Sequence, residues 1–413
     1  MAFLCGMPHK KAKNLAPRPA ASATRRGVGR GRGWGEISEK LTHTHPISPL
    51  DFSACFCHNH IAHVCKTMMK PNPVTIKDIA RLAGVSHTTV SRALRNHPAI
   101  APETIARIRV IAREQGYTVS AAARSLKTSR SQTIGIILSQ LDDPYFSKVL
   151  EGIEDTVQPA GYSLFVAASH HDVERERAVV AALIEHRADG VILCAPPFRV
   201  EHSRRMEGQG LPLAVVNNQG ADEYHFSVDH ADEQGARQVA RYLIELGHRR
   251  LAYLGNAQGG CTNANRQAGF VAELAAAGLP LRPAWVFEAP DGRPEGGYAG
   301  ARHFLAGAEI PSAICCFNDL LAVGVMRGLQ EARLNVPRDC SVTGFDNIDL
   351  AAYLNPPLTT FDQPRYALGV EAANLMLRLL AAAPAGTLPA PEHHYLLGSL
   401  VVRASTASFN PLN

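Results

Sequence analysis

Three stretches of this chain place side chains where their types and spacing could do chemistry. Between residues 55 and 65 stand Cys55, Cys57, His58, His60, His63 and Cys65. Thiolate and imidazole are the usual ligands of zinc, so one reading is a zinc knuckle. The spacing matches no closed Cys/His pattern with an intervening hairpin and helix, which favours the alternative of an extension without a metal. A second stretch runs Ser86-His87-Thr88-Thr89-Val90-Ser91-Arg92. On a helix it would offer His87, Thr88, Ser91 and Arg92 to a partner. Arg can bond guanine through two N–H groups, and Ser or Thr can reach several base edges or the thymine methyl. In the third, Asn217, Asn318-Asp319 and Asp346 each follow an apolar run. Taken singly they are helix caps or turn formers. Gathered at one place they would grip hydroxyl groups, carboxylates accepting and amides doing both.

No catalytic set accompanies them. The chain lacks a G-x-S-x-G elbow, a G-x-x-x-x-G-K-[ST] phosphate loop and a helical H-E-x-x-H pair. The cluster His170-His171, Asp172 and Glu176 reads as a solvated helix start. No enzymatic activity, cofactor or metal is expected.

The elements that must carry these residues are of two kinds. From Thr75 the pattern is helical: Thr75 and Asp78 form a capping-box-like pair, Ile79, Ala80 and Ala83 mark one face, and Gly84 ends the helix. Ser86 caps a second helix to about Arg95. A third starts at Pro102, turns Ile105, Ile108 and Ile111 inward, and stops near Gly116. Two short helices joined by a Gly-containing turn predict a helix-turn-helix whose second helix enters the major groove. A plain three-helix bundle with a polar face is the alternative.

After Thr133 the pattern alternates. Strands are predicted at Ile134–Leu138, Ser163–Ala167, Val191–Cys194, Leu213–Val216, Leu251–Leu254, Ala313–Cys316 and Val342–Phe345. Helices lie between them, several ending at Gly161, Gly210, Gly247 or Gly278. Repeated βα units imply parallel sheets covered on both faces, here enough for two lobes. In such sheets ligands bind beyond the carboxyl ends of the strands, which is where the polar residues of the third stretch fall.

Charge divides the chain the same way. Residues 70–130 hold eleven Lys and Arg against three Asp and Glu, residues 1–69 are also basic, and the rest is net acidic by about ten. A basic segment joined to an acidic body suggests one part that meets phosphate and one that does not. With 46% hydrophobic and 19% charged residues in 413, the composition is that of a globular protein of two or three domains. No apolar run approaches the roughly 18 residues of a bilayer span, so no membrane partner is expected. The first thirty residues are rich in Arg, Lys and Pro without an apolar stretch, unlike a secretory signal. The nine cysteines form no compact framework and read as reduced thiols in a cytoplasmic protein.

Val74-Thr75-Ile76-Lys77-Asp78-Ile79-Ala80, Ala83-Gly84-Val85-Ser86 and Thr89-Val90-Ser91-Arg92 resemble the N-terminal signature of the lactose/galactose repressor (LacI/GalR) family of bacterial transcription regulators. The similarity runs on through Gly116-Tyr117 and Ala123-Arg124-Ser125-Leu126, and covers about residues 72 to 405. It implies a helix-turn-helix DNA-binding domain joined by a hinge helix to an α/β two-lobed, periplasmic-binding-protein-like effector domain. It further implies a repressor that binds operator DNA as a homodimer under the control of a small-molecule effector, a carbohydrate or its derivative. A purine-like or other non-sugar co-repressor is the competing idea. Thr75, His87, Thr88, Thr89, Ser91 and Arg92, with Ala123, Arg124 and Leu126 of the hinge, would meet DNA. Leu126 would be the apolar wedge in the minor groove. Tyr145, Phe146, Asn217, Arg266, Asn318 and Asp346 would hold the effector. Gly292 falls near the position where the lactose repressor carries a pocket tryptophan, which counts against that repressor's own ligand. Two departures stand out: Ala101 replaces a capping Ser or Thr, and Val119-Ser120 replace Pro-Asn before the hinge.

The expected domains are an extension over 1–68 ahead of Met69, the helix-turn-helix over 69–118, hinge and linker over 119–132, the core over 133–405 and a tail over 406–413. Two other classes share parts of this description. A solute-binding transport protein has two such lobes but an export signal and no helix-turn-helix. An enzyme on a doubly wound fold would need the catalytic motifs that are missing.

Overall fold

The computed structural model describes residues 74–117, 130–195, 206, 210–217, 224–279, 281–383 and 389–409. The expected extension (1–68) and most of the expected hinge and linker lie outside these residues.

The first described segment is three helices: α1 (Ile76–Ala83), α2 (His87–Ala93) and α3 (Pro102–Glu114). Asp78 closes the start of α1 by accepting from the Thr75 N–H at 3.0 Å and the Thr75 hydroxyl at 2.7 Å. Gly84 ends it in the left-handed region at φ +63°, a conformation that costs Gly little and L side chains more. Ser86 caps α2 by accepting the Thr89 N–H at 3.0 Å. Ala101 leaves the start of α3 without a side-chain cap, and Pro102 supplies the first turn. Ile79, Val90, Ala93 and Ile108 are fully buried where the three helices meet, with Ile105 and Ile111 packed around them.

From residue 130 the chain builds two α/β lobes. Lobe 1 begins β1 (Thr133–Leu138), α4 (Tyr145–Val157), β2 (Ser163–Ala168), α5 (Val173–Glu185), β3 (Gly190–Cys194), β4 (Leu213–Val216) and β5 (Phe226–His230). Lobe 2 follows with α6 (Asp232–Glu245), β6 (Leu251–Asn256), α7 (Gly260–Ala276), β7 (Val286–Ala289), α8 (Pro294–Leu305), β8 (Ala313–Cys316), α9 (Asp319–Glu331), β9 (Ser341–Asp346) and β10 (Thr359–Asp362). The chain then returns to lobe 1 for α10 (Arg365–Ala382) and β11 (Glu392–Leu396), and ends in lobe 2 with β12 (Ser399–Val401). The sheets run β11-β5-β4-β3-β1-β2 and β12-β10-β9-β8-β6-β7. Among the described residues only the β10/β12 pair is antiparallel; the other pairs are parallel, as Ile134 beside Leu164 and Gly190.

Alternation along each strand feeds two cores. Ile134, Ile136 and Leu138 pack with α4 and α10, whereas Ile137 packs with Val180 and Leu183 of α5. In lobe 2, Leu254, Ile314 and Val342 face α8 and α9, while Tyr253, Cys315 and Phe345 face α6 and α7. Both faces are covered, so these strands read as nearly continuous apolar runs. All seven predicted strands are present, and Gly161, Gly210, Gly247 and Gly278 each take a positive φ between +68° and +91°. β5, β7, β10, β11 and β12 were not predicted. They are short, and Phe-Ser-Val-Asp-His or Glu-His-His-Tyr-Leu mixes polar residues into the run.

Among the described residues three crossings join the lobes, at Ala231, at Gln363-Pro364 and at Leu397-Gly398, each leaving one sheet and entering the other.

Candidate functional site

Two places bring functional side chains together. The first is the outer face of α2. Val90 and Ala93 point into the helical core, which leaves His87, Thr88 and Arg92 exposed and Ser91 half-buried beside them. Thr89 is half-buried, and its hydroxyl lies 2.9 Å from the capping hydroxyl of Ser86. Thr75 spends its hydroxyl on Asp78. Ser91 accepts from Arg95 at 2.9 Å, so Arg95 shares this face. It lies three residues beyond Arg92, and that helical spacing was the signal for it. His87, Thr88 and Arg92 are therefore the freest of the expected DNA-reading groups. Ala123, Arg124 and Leu126 lie outside the described residues.

The second place is a cleft of about 420 Å³ between the lobes, at the carboxyl ends of the parallel strands. All six residues expected to hold an effector line it: Tyr145, Phe146 and Asn217 from lobe 1, Arg266, Asn318 and Asp346 from lobe 2. Their roles within the wall differ. Asn217 follows β4 in the left-handed region (φ +55°) and donates from Nδ2 to the Tyr145 hydroxyl at 2.8 Å. Its Oδ1 is buried with no partner. Both ends of the Asn318 amide are engaged by the fold. Its Oδ1 caps α9 by accepting the Leu321 N–H at 2.8 Å, and its Nδ2 donates to the Gly292 carbonyl at 3.0 Å.

Arg266 is buried and held on every side. Nε donates to Asp232 at 2.6 Å and Nη1 to the Phe317 carbonyl at 2.5 Å. The guanidinium lies between the rings of Phe317 and Phe345, at 4.5 and 3.9 Å from their centroids. The Asp346 carboxylate is 3.7 Å from Nη1 and accepts from Gln363 at 2.5 Å. Burial drives the Asp346 carboxyl well above the ordinary carboxylate range, with Arg266 opposing it and the nearby Asp319 and Asp143 adding to it. Burial would raise Asp232 too, but His230 and Arg266 outweigh it and hold that carboxyl below its usual value. A low dielectric magnifies both effects.

Several wall residues escaped the sequence reasoning. Asn256 ends β6, one residue past the predicted Leu251–Leu254 with its flanking glycine, and is the same kind of strand-end amide as Asn217. Gln140 and Asp142 from lobe 1 meet Arg293 from lobe 2 at 2.9 to 3.2 Å, bridging the cleft outside the crossings. Gly292 lies in the wall as well. A Cβ there would sit 2.9 Å from Nδ2 of Asn318, so no larger residue fits without moving that helix cap.

One expectation is corrected. The cluster at residues 170–176 is a helix start, since Asp172 accepts the Arg175 N–H at 2.9 Å, and His170 and Asp172 are exposed, but His171 is half-buried and Glu176 is not solvated. Glu176 is 1% exposed, and burial pushes its carboxyl up to about 7. His171 lines the cleft, its pKa lowered by burial.

No group of three His, Cys, Asp or Glu side chains among the described residues is arranged to hold a metal ion. Nor is any described helix long and apolar enough to cross a membrane.

Comparison with known proteins agrees with this architecture. The model for bacterial regulatory proteins of the lacI family matches residues 75–120, and that for a periplasmic binding protein-like domain matches residues 240–406. The HTH-type transcriptional repressor PurR of Pectobacterium atrosepticum is 34% identical over 305 residues, which are 73% of this chain and 89% of that protein. A lac repressor dimer bound to operator and the anti-inducer ONPF shares the fold with a TM-score of 0.72 at 26% identity, over 81% of this chain and 100% of the other. A LacI family regulator from Enterococcus faecium with bound ribose gives a TM-score of 0.60 at 28% identity, over 67% of this chain and 100% of that one. With a helix-turn-helix, two lobes around a polar cleft and relatives that are repressors rather than enzymes, the chain belongs to the LacI family, as a DNA-binding transcriptional repressor.

Proposed function

We infer that the protein represses transcription as a homodimer on operator DNA, and that a neutral, hydroxyl-rich molecule of the sugar type in the cleft controls its operator affinity. The observation that carries the effector reading is the buried, unpartnered Oδ1 of Asn217 on the cleft wall. A buried acceptor without a donor is costly, and a ligand hydroxyl would satisfy it. Charge supports a neutral ligand. Of the wall's guanidinium groups, Arg266 already faces the Asp232 carboxylate and Arg293 that of Asp142. A phosphorylated or carboxylated ligand would meet little free positive charge. The ribose bound in the neighbouring Enterococcus faecium regulator fits the same preference.

On the DNA side, His87 and Thr88 read base edges from α2 with Arg92 just after them, Ser91 assists, and Thr75 and Thr89 stand at helix starts near the phosphates. Residues 119–132 form the hinge, with Ala123, Arg124 and Leu126 against the minor groove, between domains at 69–118 and 133–405.

Calorimetry against monosaccharides and purine bases tests the effector reading. Binding of a sugar that weakens at least tenfold in Asn217→Ala supports it. Binding of purine bases alone, with operator affinity rising on addition, would replace it by the co-repressor reading. Binding-site selection tests the DNA face: Thr88→Ala and Arg92→Ala should each relax preference at one base position by about 1–3 kcal/mol. An unchanged preference removes the assignment.

A further inference from the structure

Two of the charged cleft residues of lobe 2, Arg266 and Asp346, are each tied to a place where the chain passes between lobes. Arg266 is bonded to Asp232, the first residue after the Ala231 crossing, at 2.6 Å. Asp346 is bonded to Gln363, which itself lies in the second crossing, at 2.5 Å. Gln363 is 1% exposed, and this is the bond made by its amide nitrogen; its Oε1 is buried with no partner. Around Asp346 the backbone is constrained. Asp346 and Asn347 both take positive φ, +117° and +53°, where L residues pay strain. Asn347 is strapped to either side of the same crossing, donating from Nδ2 to Asp362 at 3.0 Å and accepting at its carbonyl from Arg365 at 2.5 Å.

Opening or closing two lobes requires φ/ψ changes in a few residues of the crossings. A side chain on such a residue that is bonded into the ligand cleft makes the state of the cleft part of the energy of the hinge. Gln363 suits this because half of its amide is unsatisfied. A small rotation of the crossing can trade its bond to Asp346 for one that satisfies Oε1, whereas a fully bonded amide would resist any change.

We propose that Gln363 is a positioning residue through which Asp346 sets the angle between the lobes, and thereby operator affinity. This rests on the cleft being the effector site and names how that site is regulated. Coupling between sites is a free energy, measurable as non-additivity when the two ends are altered together.

The test is a double-mutant cycle on the full chain without ligand, using Asp346→Ala and Gln363→Met. Operator affinity at fixed salt and the lobe-to-lobe distance by fluorescence energy transfer are the readouts. Asp346→Ala is expected to change operator affinity at least about fivefold, the low end of ordinary coupling. In the Gln363→Met background the same change should fall within about twofold of none, the scatter expected of independent sites. Gln363→Leu, which likewise removes the amide donor at similar size, replaces Gln363→Met if that variant does not fold. Equal effects of Asp346→Ala with and without Gln363, or no effect of Asp346→Ala on affinity and distance, overturn the proposal. A purely structural role for Gln363 would lower the unfolding temperature and leave the effects additive. Ligand binding by the wild type is measured separately, so loss of the cleft reading and loss of this coupling are distinguishable.

Discussion

Arg266 shows how a ligand-binding residue type can be consumed by the fold. Its bonds to Asp232 and Phe317 and its two aromatic neighbours leave little of it for a ligand. Removing one partner of a buried ion pair strands the other charge and costs about 3–5 kcal/mol. Arg266→Ala should therefore lower the unfolding free energy by that order in urea titration, whereas Asn217→Ala, whose Oδ1 has no partner, should cost far less. Equal costs would mean that Arg266 is not the hub its contacts describe. His248 offers a test in pH. It is buried, with Nε2 3.1 Å from the Ala407 carbonyl and Nδ1 3.0 Å from the Ser312 hydroxyl, and burial lowers its pKa to about 4. The folded chain thus refuses a proton that the unfolded chain accepts near 6.5. Its contribution is complete above about pH 6.5, is lost as pH falls from there to about 4, and amounts to roughly 3 kcal/mol at most. His248→Gln should flatten stability against pH in that window. A curve as steep as the wild type's would show that another group carries the acid loss.

At the scale of elements, α2 depends on Ser86 for its start and on Val90 and Ala93 for its seat. A seven-residue helix has no stability of its own, so the cap counts. Ser86→Ala should cost about 1 kcal/mol of stability in the helical domain and weaken operator binding through loss of α2 order. Thermal unfolding of that transition with no change would contradict the cap. The hinge proposed within 119–132 would be too short to hold as an isolated helix and would form on DNA. Leu126→Ala should accordingly spare the unfolding temperature and ligand binding, and reduce specific operator affinity at least tenfold, as read by gel shift with specific and random duplexes. Equal affinity and bending in both proteins would make Leu126 an ordinary linker residue. Helix starts, turn glycines and apolar strands were legible because each depends on neighbours in sequence. The strands β5 and β11 were not. His393 and Tyr395 alternate with half-buried neighbours at a sheet edge, and only the pairing of Glu392 with Phe226 makes that stretch a strand.

For the molecule as a whole, the division of charge sets basic residues 1–130 against an acidic stretch over 131–413. Operator binding should therefore fall steeply with salt, since each phosphate neutralised releases counterions. Residues 1–68 are expected to add nonspecific affinity only. Their deletion should leave the ratio of specific to random binding within about twofold at fixed salt, the tolerance expected of independent parts. A larger drop, or a zinc requirement for the full chain, would give that stretch a specific role.

By itself the sequence determined the helix-turn-helix, its caps and exposed reading face, the βα alternation and the strand-end residues Asn217, Asn318 and Asp346. These follow from local periodicity and from residue types that favour helix starts and strand ends. Tertiary structure decided what those residues are free to do. It used both ends of the Asn318 amide, enclosed Arg266 between two rings, buried Glu176 and left Asn217 with an open acceptor. It also brought Gln363 against Asp346 and Asp142 against Arg293. The physical reason is that whether a polar group is satisfied depends on partners tens or hundreds of residues away, set by how sheets and lobes pack, and no local pattern encodes those partners.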